Sequence, residues 1–131
     1  MSDSGTAGRA TVTVCITCRA PSDPTDGPRA GIALADAAAL AAAGVSDILV
    51  QRVRCLGNCN RGLSAAIRCN SAWTYVFGGL EPTRDGPSLI IGAQLLAQAS
   101  DGIMPWRDRP DPLKRGLIAR VPPVNFPDEL P

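Results

Sequence analysis

Apolar and polar positions alternate over ATVTVC, residues 10–15, with Ala10, Val12 and Val14 on one side and Thr11, Thr13 and Cys15 on the other. A period of two marks a half-buried β-strand. The pattern changes at RAGIALADAAALAAA, residues 29–43, an alanine-rich run of strong helix propensity closed by Gly44 in the position where helices take a C-terminal glycine. ILVQRVR, residues 48–54, predicts a second strand. SAAIRC (64–69) and WTYVFG (73–78) predict a third and a fourth, and the three residues between them allow only a hairpin. Trp73, Tyr75 and Phe77 share one face of that last strand and are expected to pack in the core. Residues 86–101 carry Leu89, Ala93 and Leu96 at helical spacing, with Pro87 near the first turn.

The resulting order, β-α-β-β-α, is that of a thioredoxin-like α/β domain with a four-stranded mixed sheet, expected over residues 9–101. Residues 1–8 are small and polar and are expected to be a flexible N-terminus. Residues 19–28, RAPSDPTDGP, read as a loop. Residues 102–131 hold seven of the twelve prolines and show no periodicity, which argues against a regular element there. Trp106, Leu113, Leu117, Ile118, Val121 and Phe126 are nevertheless more apolar than a free tail needs. The expectation is an irregular, proline-rich C-terminal arm packed on the domain.

Composition narrows the function classes. A chain of 131 residues, 45% hydrophobic and 19% charged, has apolar sequence enough for one core. A net charge of +1 gives no bulk electrostatic case for nucleic acid. No run approaches the roughly 18 apolar residues of a membrane span, and the N-terminus lacks the pattern of a signal peptide, so a cytoplasmic location is expected. Histidine is absent, which removes histidine-ligated zinc, histidine general bases and triads built on them.

The chemistry is concentrated in cysteine. Cys15 and Cys18 form one close pair and Cys55 and Cys59, in CLGNCNRGL, another. In a β-α-β crossover the two strands are parallel neighbours about 4.8 Å apart, so the pairs that follow them are delivered to one edge of the sheet. Binding sites of open α/β sheets lie at that edge. Four converging thiols in a reducing compartment suit a Cys₄ zinc or an iron-sulfur cluster. Gly57 and Asn58 tolerate positive φ, which lets the loop curl and aim N–H groups at sulfur, and Gly62 is expected to serve likewise. That feature, and a chain with a core of its own, favour the cluster over structural zinc. A thioredoxin-like dithiol oxidoreductase is the other alternative; against it, residues 19–28 separate Cys18 from the helix that would lower its pKa, and no proline lies between Pro28 and Pro82 to supply the cis-proline of such sites.

VTVCITCR, VRCLGNCNRGL, WTYVFGGL, GIMPWRDRP and ARVPP together resemble a small bacterial family of predicted metal-binding proteins known as a domain of unknown function. That family is similar in turn to thioredoxin-like [2Fe-2S] ferredoxins and to the ferredoxin-like small subunit of respiratory NADH dehydrogenase. The resemblance implies a [2Fe-2S] cluster held by Cys15, Cys18, Cys55 and Cys59, and a one-electron carrier rather than an enzyme. It implies a reductase and an electron acceptor as partners, and leaves room for a homodimer. The neighbourhood of such genes to cobalamin biosynthesis genes implies a corrinoid-reducing enzyme as acceptor. The C-x-x-C spacing of the first pair is tighter than is common in those ferredoxins. Arg54 and Arg61 flank the CLGNC loop and are candidates for tuning the cluster or docking a partner. Cys69 is excluded as a ligand, because five strand steps at about 3.3 Å carry it roughly 16 Å from that loop.

Overall fold

The computed structural model describes residues 9–19 and 29–130. Residues 1–8, and most of the 19–28 loop, lie outside them. In chain order the elements are β1 (Ala10–Cys15), α1 (Ala30–Ala42), β2 (Ile48–Val53), a 3₁₀ turn (Cys59–Arg61), β3 (Ala65–Cys69), β4 (Thr74–Phe77), α2 (Asp85–Gln98), α3 (Asp111–Arg115) and β5 (Leu117–Val121). The sheet order is β2-β1-β3-β4-β5, with β1 and β2 parallel and every other pair antiparallel.

The sheet has five strands, not four. The extra one, β5, comes from the proline-rich stretch and pairs with β4 from Thr74↔Val121 to Phe77↔Leu117, with a register shift at Val76/Phe77. The prolines flank this segment rather than interrupt it. Pro112 sits in the first turn of α3, where no N–H is needed, and Pro122–Pro123 follow the last paired residue. β5 is an edge strand and its outer half is exposed, whereas β1, paired on both sides, is buried at every position but Thr11, more completely than the half-buried strand expected.

One face of the sheet makes the core. The registers align Val12 with Ile67 and Ile67 with Tyr75, and Val14 with Ala65 and Ala65 with Phe77; all six side chains are essentially inaccessible. Leu34, Ala35 and Ala38 of α1 and Leu89, Ala93 and Leu96 of α2 cover them. Tyr75 and Phe77 stack with ring centroids 6.3 Å apart. Trp73 just precedes β4 and is only half-buried; Phe126 meets it edge-on at 5.2 Å. The opposite sheet face is polar in its middle, where the Thr13 hydroxyl donates to Gln51 Oε1 at 2.9 Å.

α1 and α2 approach so closely that only glycine fits at one contact. A Cβ at Gly86 would lie 2.6 Å from the Ala37 Cβ and 2.8 Å from the Ala38 nitrogen. Among the described residues no helix is long and apolar enough to cross a membrane.

Candidate metal centre

The end of β1 is held from both sides. Cys15, its last residue, stands opposite Val53 of β2; its N–H donates to Ser64 O at 3.0 Å, and the next N–H, of Ile16, donates to Val53 O at 2.9 Å. The loops after β1 and β2 and the start of β3 therefore emerge together. α1 closes the same end: the Gly31 N–H donates to Cys18 O at 3.0 Å. A helix N-terminus, carrying partial positive charge, thus abuts the first cysteine loop.

Within this frame the thiols form two couples. Cys15 and Cys18 lie beside each other and are buried, at 1% and 5% exposure; Cys55 and Cys59 lie beside each other and are exposed. The Cys15 Sγ donates to Arg54 O at 3.5 Å, one residue before Cys55, and the charge of Cys15 is felt at Cys59. The couples thus stand at the same end of the sheet. Among the described residues, no three potential ligands converge on the position of a single ion.

The electrostatics separate the four groups. Burial pushes the Cys15 thiol up, but hydrogen bonds with Cys18, with the Thr17 hydroxyl and with the Leu56 and Thr17 backbone outweigh it and bring the thiol below its ordinary value. Cys18 is pushed up to about 11, first by burial and then by the hydrogen bond and charge of Cys15. Cys59 is raised chiefly by its hydrogen bond to Cys55 and by the charge there. Four thiolates so placed repel one another, and a cationic centre between the couples relieves that repulsion.

The loop residues act differently from one another. Gly57 has φ +73°, as the curled loop requires, and its N–H donates to Cys55 Sγ at 3.1 Å. Asn58, expected to share that backbone freedom, instead has φ −126° and works through its side chain, whose Nδ2 donates to Ser64 Oγ at 2.9 Å and to Arg61 O at 3.3 Å. Gly62 also differs from expectation: its φ of −67° is not the positive φ foreseen, and a Cβ there would stand 3.1 Å from Cys18 Sγ.

Two contributors were not anticipated. Ser64 is fully buried and hydrogen-bonds Cys18 through backbone and side chain while receiving Asn58. Thr17 bonds Cys15 and donates to Arg54 O. A hydroxyl inside C-I-T-C, and a serine at the head of the apolar run AAI, are the available signals.

Arg54 and Arg61 are exposed, and neither makes an ion pair among the described residues, whereas Arg52 is paired with Asp36 at 2.8 Å. The Arg61 carbonyl accepts from Gly79 N–H at 2.7 Å, which pins the second cysteine loop to the end of β4. Cys69 pairs in register with Ala10, at the end of β1 opposite Cys15. It is half-buried, and burial raises its thiol.

A family model described as "Protein of unknown function (DUF1636)" matches residues 12–123. No curated protein matches the chain significantly. Among solved structures, a thioredoxin-like [2Fe-2S] ferredoxin from Aquifex aeolicus aligns with a TM-score of 0.55 at 16% identity, over 90% of this chain and 98% of that one. A crystal structure at 1.5 Å of the wild-type thioredoxin-like [2Fe-2S] ferredoxin from the same organism gives 0.53 and 14%, over 85% and 97%. At these identities the likeness is one of fold.

Proposed function

The chain belongs to the DUF1636 family of proteins of unknown function, so its activity has to be read from its own site, and we propose that it is a [2Fe-2S] ferredoxin, a one-electron carrier rather than an enzyme. The observation that carries this reading is the delivery of two thiol couples to one sheet end by the parallel neighbours β1 and β2. The fold shared with the Aquifex aeolicus ferredoxins supports it.

The donor set fits the cluster. Cys15 and Cys18 would hold it from the buried side, and Cys55 and Cys59 from the exposed side. Such a cluster supplies one electron at a time and carries roughly −2 or −3 with its thiolates. The Gly57 and Leu56 N–H groups and the N-terminus of α1 offer positive potential to those sulfurs. Ser64 and Asn58 fix the loop that presents them. The partners proposed with this reading are a reductase and an electron acceptor, the latter a corrinoid-reducing enzyme, in the cytoplasm.

Protein purified without oxygen is expected to be red-brown, to contain iron and acid-labile sulfide in equal amounts, and to give the EPR signal of a mixed-valence iron pair when reduced. A colourless protein with stoichiometric zinc would overturn the reading.

Arg54 and Arg61 sit where positive charge favours the more negative, reduced state. Changing both to Gln is expected to lower the reduction potential, by on the order of 10 mV per exposed charge. It should also flatten the salt dependence of reduction by the reductase, because a basic rim steers an acidic partner. If potential and salt dependence are both unaltered, the two arginines are only solvated surface.

A further inference from the structure

The motifs GIMPWRDRP and ARVPP take no part in the cysteine end. They meet instead beside β4, where residues of both line a cleft of about 540 Å³. We propose that this cleft binds a small organic oxyanion, a phosphate or carboxylate carried on an apolar body, with Arg109 and Arg120 holding the anionic group.

Arg109 is 7% exposed, and a guanidinium so deeply buried ordinarily has a carboxylate partner. Here its Nη2 donates to Met104 O at 2.6 Å and its Nε to Pro105 O at 3.4 Å. Its Cζ lies 5.3 Å from the Tyr75 ring centroid and 5.0 Å from that of Trp106. These contacts orient the group without neutralising it. The Tyr75 hydroxyl also hydrogen-bonds it, the Arg120 charge reaches it, and no carboxylate pairs with it among the described residues.

Arg120 adds a second positive charge. It stands opposite Tyr75 in register, so β5 directs it to the same face, and its Cζ lies 4.4 Å from the Trp73 centroid. Its charge disfavours the charged form of Arg109. Two like charges held at one cleft repel, and an anion between them relieves both. Lys114 of α3 has its Nζ 5.4 Å from the Trp106 centroid, outside the cleft lining. The acid in the lining, Asp101, is exposed, and its Oδ1 accepts the Ile103 N–H at 3.1 Å.

The walls specify the rest of the ligand. Trp106 is 59% exposed and Ile103 39%, leaving apolar surface at the mouth of a positively charged cleft. Tryptophan and arginine side by side are typical anchors of binding sites. The position is independent of the thiols: Tyr75 lies mid-sheet, and Met104, whose N–H donates to the Tyr75 hydroxyl at 2.9 Å, follows the Gly102 that receives Trp73 N–H at the hairpin end.

The test is calorimetric titration of the full-length, cofactor-loaded protein at low ionic strength with phenyl phosphate, benzoate, inorganic phosphate and phenol. One equivalent of phenyl phosphate or benzoate is expected to bind more tightly than inorganic phosphate, and phenol not at all. The stronger of the two aromatic anions identifies the headgroup. Arg120→Gln is expected to weaken binding about tenfold, the worth of one charged hydrogen bond. That variant keeps the proposal decidable if Arg109→Gln fails to fold, since Arg120 is exposed. Absence of binding to either aromatic anion at about 10 mM, phenol binding as tightly as they do, or affinity unchanged in Arg120→Gln would overturn it.

Discussion

Serine in place of Cys15, Cys18, Cys55 or Cys59 is expected to strip the protein of most of its iron or to change its spectrum, while serine at Cys69 leaves both intact. A hydroxyl is a far weaker acid than a thiol and offers a hard oxygen where iron-sulfur centres take soft thiolates. Removing a mere partner of a metal ligand costs about 10- to 100-fold in affinity, so removing the ligand itself costs more. The two couples should differ in a second measurement. Cys15 and Cys18 are buried and bonded into the frame of Thr17 and Ser64, so their serine variants should also melt at lower temperature. Cys55 and Cys59 are exposed, and their variants should lose the cluster with little change in the stability of the metal-free chain. Cys69 lies at the opposite end of β1, five strand steps or about 16 Å away. Iron lost from the Cys69 variant, with a normal spectrum in one of the other four, would sink this assignment of ligands.

The elements that could be read from sequence are those whose local pattern and tertiary environment agree. β1 alternates in sequence, with Ala10, Val12 and Val14 in the core, and its bounds follow from that alternation, although Thr13 and Cys15 on the other face are buried too. α1 is legible from alanine propensity, and its last residue, Ala42, is followed by the C-cap Ala43 and then Gly44, which takes φ +85°. The meeting of the two cysteine loops followed from the geometry of parallel strands. What escaped was whatever depends on partners distant in sequence. β5 is a strand because β4 has an edge to pair, not because LIARV alternates. Asn58 was credited with backbone freedom, yet its contribution is an amide aimed at Ser64, visible only once the loop has closed. Arg109 carries no signal of its own in GIMPWRDRP, and its place under two aromatic rings becomes visible only in the fold, where the Met104 N–H reaches the Tyr75 hydroxyl.

The same dependence on distant neighbours makes two glycine substitutions diverge in outcome. In an exposed helix, Gly→Ala stabilises by roughly 1 kcal/mol. At Gly31 and Gly86 the surroundings reverse that sign. A Cβ on Gly31 would stand 2.2 Å from Cys15 O and 3.2 Å from Cys18 O, both backbone atoms that cannot rotate away. A Cβ on Gly86 would meet the Ala37 and Ala38 backbone of α1 at 2.7 and 2.8 Å. Overpacking of this kind costs about 1–3 kcal/mol or more, so each variant should melt roughly 5–15 °C lower. Their sites should nevertheless differ. Gly86 separates two helices and touches no cysteine loop, so Gly86→Ala is expected to keep normal iron content and spectrum per folded chain. Gly31→Ala can relieve its clash only by moving the start of α1 away from Cys15 and Cys18, breaking the Gly31 N–H bond to Cys18 O. It should therefore lose iron, or show an altered spectrum, even well below its melting temperature. A Gly31 variant with a normal spectrum would mean that α1 does not position the first thiol couple, and that the loop after β1 holds its shape unaided.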